Sequence, residues 1–139
     1  MKPPETIRGR LDQPSGTANL LLTGWDAFEL IQQVAFAQAK QDPGAYATWM
    51  SVIPPACEGR DALGEAPSLS HCPSHELAPG AVDIGSGDEV AADLAALAAH
   101  LASRLRIMAE EVAGTGDRRA LDRAAAAAEE VRGLLATGG

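Results

Sequence analysis

The residues of this chain best suited to chemistry are two thiols and three imidazoles, and four of these five fall within nineteen positions. Cys57 comes first, followed by His71, Cys72 and His75 in the run His71-Cys72-Pro73-Ser74-His75. Two thiolates and two neutral imidazoles are a ligand set that zinc accepts, and His71 and His75 keep an H-x₃-H interval. Cys57 lacks the second cysteine two or three residues away that a strong structural zinc site has. The same residues admit a second chemistry. A Cys57–Cys72 bond would close a loop of about sixteen residues, worth about 3 kcal/mol where the geometry allows, and in a reducing compartment it would form a reversible pair. The plain alternative is a buried Cys57 packing as a small hydrophobe, followed by an exposed loop rich in serine and histidine. The spacing favours that plain alternative. No cofactor is expected beyond a zinc ion on Cys57, His71, Cys72 and His75.

Other reactive groups are placed less suggestively. His100 stands one residue before Leu101, in a row with Asp93 and Arg104, which predicts a surface histidine among charges. Gly85-Ser86-Gly87 precedes a helix start, but Asp88 and Glu89 follow it, so carboxylates already meet the positive helix end that an anion would use. The acidic pairs Glu110/Glu111 and Glu129/Glu130 lack the Glu-x-x-His partners of a di-metal carboxylate site. No G-x-S-x-G, Walker or dinucleotide motif occurs. An enzyme is therefore not expected.

These groups must be carried by helices. Thr23-Gly24-Trp25-Asp26 has capping-box spacing and predicts a helix from about Gly24 to Lys40, with Trp25, Phe28, Ile31 and Ala35 on one stripe. Asp42-Pro43 predicts a second start, and a short helix to about Ile53 that presents Tyr46, Trp49, Met50 and Ile53 together. Pro54-Pro55 is expected to end it, with Pro55 able to open a further turn through Leu63. Residues 1–16, with Pro3, Pro4 and Pro14, read as an extended, mobile tail. Residues 64–87 read as a long irregular connection, the first place to look for activity.

Ser86-Gly87-Asp88-Glu89 opens the longest helix, about Asp88 to Ala113. Its apolar positions are Val90, Leu94, Leu97, Leu101, Leu105, Met108 and Val112, an average spacing near 3.67 residues. Gly114 stops it and Asp117 caps the next, about Arg118 to Ala136, where Leu121, Ala124, Ala128, Val131 and Leu135 recur. So short a turn demands an antiparallel helical hairpin. The fold class that follows is all-α: a bundle of about four helices in one domain over 17–139, comprising an aromatic-rich pair (20–63), the irregular acidic linker and the hairpin (88–136).

Charge and composition narrow the function classes. All five aromatic residues lie between Trp25 and Trp49, which places the best-anchored core between residues 20 and 55. The net charge of −8 is accounted for between Gln41 and Asp93, where nine acids face one base, Arg60. Such a surface repels nucleic-acid phosphates and anionic lipid heads. The first ten residues hold no apolar signal region, and no run approaches the ~20 apolar residues of a membrane span. A cytoplasmic location follows as the expectation. Lysine occurs only at Lys2 and Lys40 and asparagine only at Asn19, the usage expected of a GC-rich bacterial genome.

The function class that best suits these features is a non-enzymatic interaction protein, a small bacterial accessory or regulatory subunit acting through helix faces. A long helix of about 39 Å beside a partner of about 28 Å leaves part of its stripe for another protein or a second copy to cover. The predicted surface is Leu94, Leu97, Leu101, Leu105, Met108 and Val112. A small zinc-binding or thiol-redox sensor is the alternative.

Overall fold

The apolar stripe of the longest predicted helix becomes one half of a helical hairpin in the computed structural model, which describes residues 3–12, 16–68 and 87–137. Five α-helices follow one another: α1 (Pro3–Asp12), α2 (Thr17–Gln41), α3 (Tyr46–Gly64), α4 (Gly87–Glu111) and α5 (Thr115–Thr137). A single 3₁₀ turn, Pro43–Ala45, leads into α3. No strand occurs among the described residues. The architecture is an all-α bundle built from two helix pairs, α2–α3 and α4–α5, with α1 laid against α2 and α4.

The hairpin forms as its spacing requires. Leu94, Leu97, Leu101 and Leu105 of α4 are fully buried, as are Leu121, Ala124, Ala125, Ala128 and Val131 of α5, which packs on both α4 and α3. Alanines on one helix let the leucines of the other sit close to its backbone. The antiparallel direction shows in the cross-links: Arg106 meets Glu129, while Arg118, earlier in α5, meets Ala109 and Val112, later in α4. Arg118 donates to both of those carbonyls, at 3.1 and 3.0 Å, and so satisfies acceptors that the end of α4 leaves open. Asp117 does not serve as the expected cap. Its carboxylate accepts from the Ser68 backbone N–H at 3.1 Å and from the Ser68 hydroxyl, tying the chain beyond α3 to the first turn of α5.

Three expectations are corrected. Residues 3–12 are not extended chain: they form α1, and its Ile7 and Leu11 are buried in the shared core. The helix expected from Gly24 begins seven residues earlier, at Thr17. Thr23 is no cap, since its hydroxyl donates to the Asn19 carbonyl one turn back, at 2.8 Å, inside a continuous helix. The third correction concerns Pro54-Pro55, which α3 runs through without ending. Neither proline has an N–H to give, so the carbonyls of Met50 and Ser51 lack the helical donor four residues on. Burial outweighs that loss: Val52, Ile53, Pro55, Ala56, Gly59, Ala62 and Leu63 all face inward. The Asp42 start signal does hold, its carboxylate accepting from Gly44 N–H at 3.2 Å.

Close approach decides how the first pair packs. A Cβ at Gly59 would lie 2.3–2.7 Å from three atoms of the Phe28 ring, so α3 is glycine where the aromatic of α2 lies against it. Gly24 plays the reciprocal part on α2, with Leu63, Leu101 and Leu105 within 4 Å of where its Cβ would be. The two helix pairs share one core at that point. The core consequently extends well beyond residues 20–55, from Ile7 to Leu135.

Candidate functional site

Two surfaces stand out among the described residues. The first lies along the rim of α2 and α3. On α2, Trp25, Glu29, Gln32, Phe36 and Lys40 recur at helical spacing and form one row; on α3, Tyr46, Met50, Ile53, Cys57 and Arg60 form another. Arg60 joins the rows, donating to Glu29 at 2.8 Å and to Gln32 at 3.0 Å. The hydrogen bond with Glu29 raises the Arg60 pKa above its ordinary value, against the opposing effect of partial burial. Beyond that polar clasp the seam turns apolar. Phe36 is 43% exposed and Tyr46 53%, with Met50 and Cys57 half-buried between them. Asp42, Glu58 and Asp61 stand exposed around it, against Lys40.

The second surface is covered by α1. Asp26, 0% exposed, takes a 3.0 Å hydrogen bond from Arg10 Nη1. Arg10 Nη2 reaches the hydroxyl oxygen of buried Thr23 at 3.3 Å. A buried carboxylate without a cation would cost several kcal/mol, and Arg10 offsets that cost for Asp26. The end of α1 is held from α4: His100 Nε2 lies 2.7 Å from Asp12 Oδ1, and Arg104 Nε donates to the Leu11 carbonyl at 3.0 Å.

The residues picked out from sequence are distributed unevenly over these surfaces. The expected docking face is interior: Leu94, Leu97, Leu101 and Leu105 are fully covered within the chain, and Val112 nearly so. Met108 is partly buried, its sulfur 3.6 Å from the Thr17 hydroxyl. That stripe is the seam of the bundle, closed by α5 and by α2, and its length beyond α5 does not leave it open. Cys57 is a free, half-buried thiol on the α2–α3 rim. His71, Cys72 and His75 lie outside the described residues, as do the Gly85-Ser86 turn and most of the 64–87 connection. Among the described residues no group of three or more His, Cys, Asp or Glu is placed to hold a metal ion. His100 sits in the polar row foreseen for it, and α1 supplies its partner. Two open cavities add little chemistry. One of about 430 Å³ lies between the start of α2 and the α4–α5 turn, beside Glu111 and Asp117; one of about 350 Å³ lies beside Arg106, Arg118 and Asp122.

Sequence reasoning missed Asp26 and Phe36. Asp26 fits a capping pattern locally, and only the arginine sixteen residues before it reveals the ion pair. Phe36 carried a usable signal, because Glu29, Gln32, Gln33 and Lys40 share its side of α2 and mark it as an aromatic on a polar face.

No described helix is long and apolar enough to cross a membrane. No family model, curated protein or solved structure matches the chain.

Proposed function

We propose that the chain is a non-enzymatic protein–protein interaction module, a small accessory or regulatory subunit of the bacterial cytoplasm, which docks through the α2–α3 seam. One observation carries this reading: Phe36 and Tyr46 stand exposed on adjoining rows, and among the described residues only Ile107 on α4 joins them as an exposed large apolar side chain. Each such side chain gains about 1.5–3 kcal/mol when moved out of water, and aromatics on a surface are the usual anchors of an interface. The surrounding charge selects the occupant. Asp42, Glu58 and Asp61 outnumber Lys40 there, and the chain as a whole carries −8. A fitting partner offers an amphipathic helix, apolar along one face and flanked by lysine or arginine. The same charge argues against nucleic acid as the ligand.

The test begins with purification from the native host at native level and identification of what accompanies the chain. That protein is then titrated against purified wild type and against a Phe36→Ser/Tyr46→Ser double variant. The reading requires binding that weakens with salt and falls at least about tenfold in the double variant, with an unchanged circular-dichroism spectrum. Equal binding by both would sink it. A wild type found dimeric by light scattering, and monomeric as the double variant, would reassign the seam to a second copy.

A further inference from the structure

We infer that Met108 is a reversible oxidation site: its thioether takes one oxygen atom from a hydroperoxide, and the Thr17 hydroxyl holds the sulfoxide that results. This stands apart from the α2–α3 seam and does not depend on the docking read there.

The position is marked by its chemistry and by its access. Leu94, Leu97, Leu101, Leu105 and Val112 fill the stripe of α4 with branched hydrocarbon, and only position 108 between them is a thioether. Met108 is also where that stripe leaves the core, being partly buried against it. It lines the open cavity of about 430 Å³ together with Gly16, Thr17 and the α4–α5 turn. The cavity brings no catalyst, only access. Hydrogen peroxide is small and neutral, so Glu111 and Asp117 beside the cavity do not repel it.

The sulfur already has a donor. Thr17 Oγ1 lies 3.6 Å from Met108 Sδ, and a thioether is a weak acceptor that makes poor use of it. In the reaction a sulfur lone pair attacks one peroxide oxygen, the O–O bond breaks, and an S–O bond forms. Sulfur is oxidised by two electrons, and the departing hydroxide takes up the proton of the transferred oxygen to leave as water. The new oxygen is a strong acceptor within reach of the Thr17 hydroxyl. α2 starts at Gly16 without a side-chain cap, so unsatisfied N–H groups stand at the same end of the cavity. Oxidation of a packed methionine ordinarily disrupts its surroundings. Here it strengthens a bridge between the first turn of α2 and the last turn of α4. A thiol-dependent sulfoxide reductase reverses the step, two thiols becoming a disulfide as the oxygen leaves in water.

Peptide mapping of the wild type under hydrogen peroxide should find Met108 converted within about tenfold of the rate at Met50, the half-buried methionine of the seam. Slower conversion overturns the proposal. Melting temperature is then compared before and after oxidation in a Met50→Leu chain. A Met50→Leu/Met108→Leu chain, treated alike, supplies the background from other oxidisable groups such as Cys57. Above that background, the Met50→Leu chain should keep or raise its melting temperature. With Thr17→Val added, the same oxidation should lower it by at least about 3 °C, whereas Thr17→Ser should behave as the parent does. Equal shifts with and without the hydroxyl overturn the assignment. Should Thr17→Val not fold, Thr17→Ala takes its place under the same criteria. A methionine sulfoxide reductase with dithiothreitol should restore the thioether at 108, and failure to do so overturns reversibility.

Discussion

The two helix pairs solve the packing problem in opposite ways. In α4–α5 the buried residues are leucines with alanines between them on α4 and mostly alanines with Leu121, Val131 and Leu135 on α5, so a simple periodic pattern closes the seam. In α2–α3 single glycines admit single large groups: Gly59 lies against Phe28, and Gly24 against Leu63, Leu101 and Leu105. Among the described residues that first pair also carries the buried polar side chains Thr23, Asp26 and Gln38 and two of the three exposed large apolar ones, Phe36 and Tyr46. A regular seam is stable and has little to offer a partner. The irregular pair carries the exposed aromatic seam and shares the surface under α1 with α4.

Substitutions can break or sharpen that contrast. Leu101→Ala opens a cavity where the pairs meet and should cost about 3–4 kcal/mol, read as a lower urea midpoint with unchanged slope. Gly59→Ala should cost about 2–3 kcal/mol, because the Phe28 ring stands where the methyl must go, and Phe28→Leu in the same chain should return part of that loss. The identical change in the regular pair, Gly133→Ala in α5, meets nothing within 4 Å. It should stabilise by about 0.5–1 kcal/mol, raising the melting temperature. Opposite signs for one substitution would confirm the difference; equal signs would erase it.

The smallest effect belongs to the exposed Arg106–Glu129 pair across the hairpin. Arg106→Ala should cost less than about 1 kcal/mol, and that cost should shrink with salt. The hydrogen bond from Arg106 lowers the Glu129 pKa, so this contribution is present at neutral pH and is lost as pH falls through the lowered value. Carboxyl titration by NMR should show Glu129 moving back up in the variant.

The same contrast explains what could be read in advance. Leu94 to Val112 and Leu121 to Leu135 announce the hairpin because each helix carries a regular apolar stripe on either side of a short turn, and that stripe is written locally. α1 was not legible: two prolines, Gly9 and mixed charge describe a tail, and the helix exists through contacts with Asp26, His100 and Arg104, distant in sequence. The prolines of α3 misled for a related reason. Propensity says stop at Pro54, while seven inward-facing residues on either side hold the helix in line. Helix lengths alone leave part of the Leu94–Val112 stripe over for a partner; Gly24, which lets α2 approach α4 from the other side, covers it, and locally it fits a capping pattern. At the seam, Phe36 was marked by its polar neighbours. Tyr46 was not, because the 3₁₀ turn shifts where α3 begins.

The prolines of α3 have one more effect. Met50 belongs to the exposed row, and its carbonyl, with that of Ser51, has no amide four residues on to accept from. The rings crowd those carbonyls and fix the chain at 54 and 55, so that stretch of α3 is held by covalent geometry where main-chain hydrogen bonds are missing. The course of the helix beside Met50 is thereby set by two rings, a shape that drift in the neighbouring side chains leaves intact.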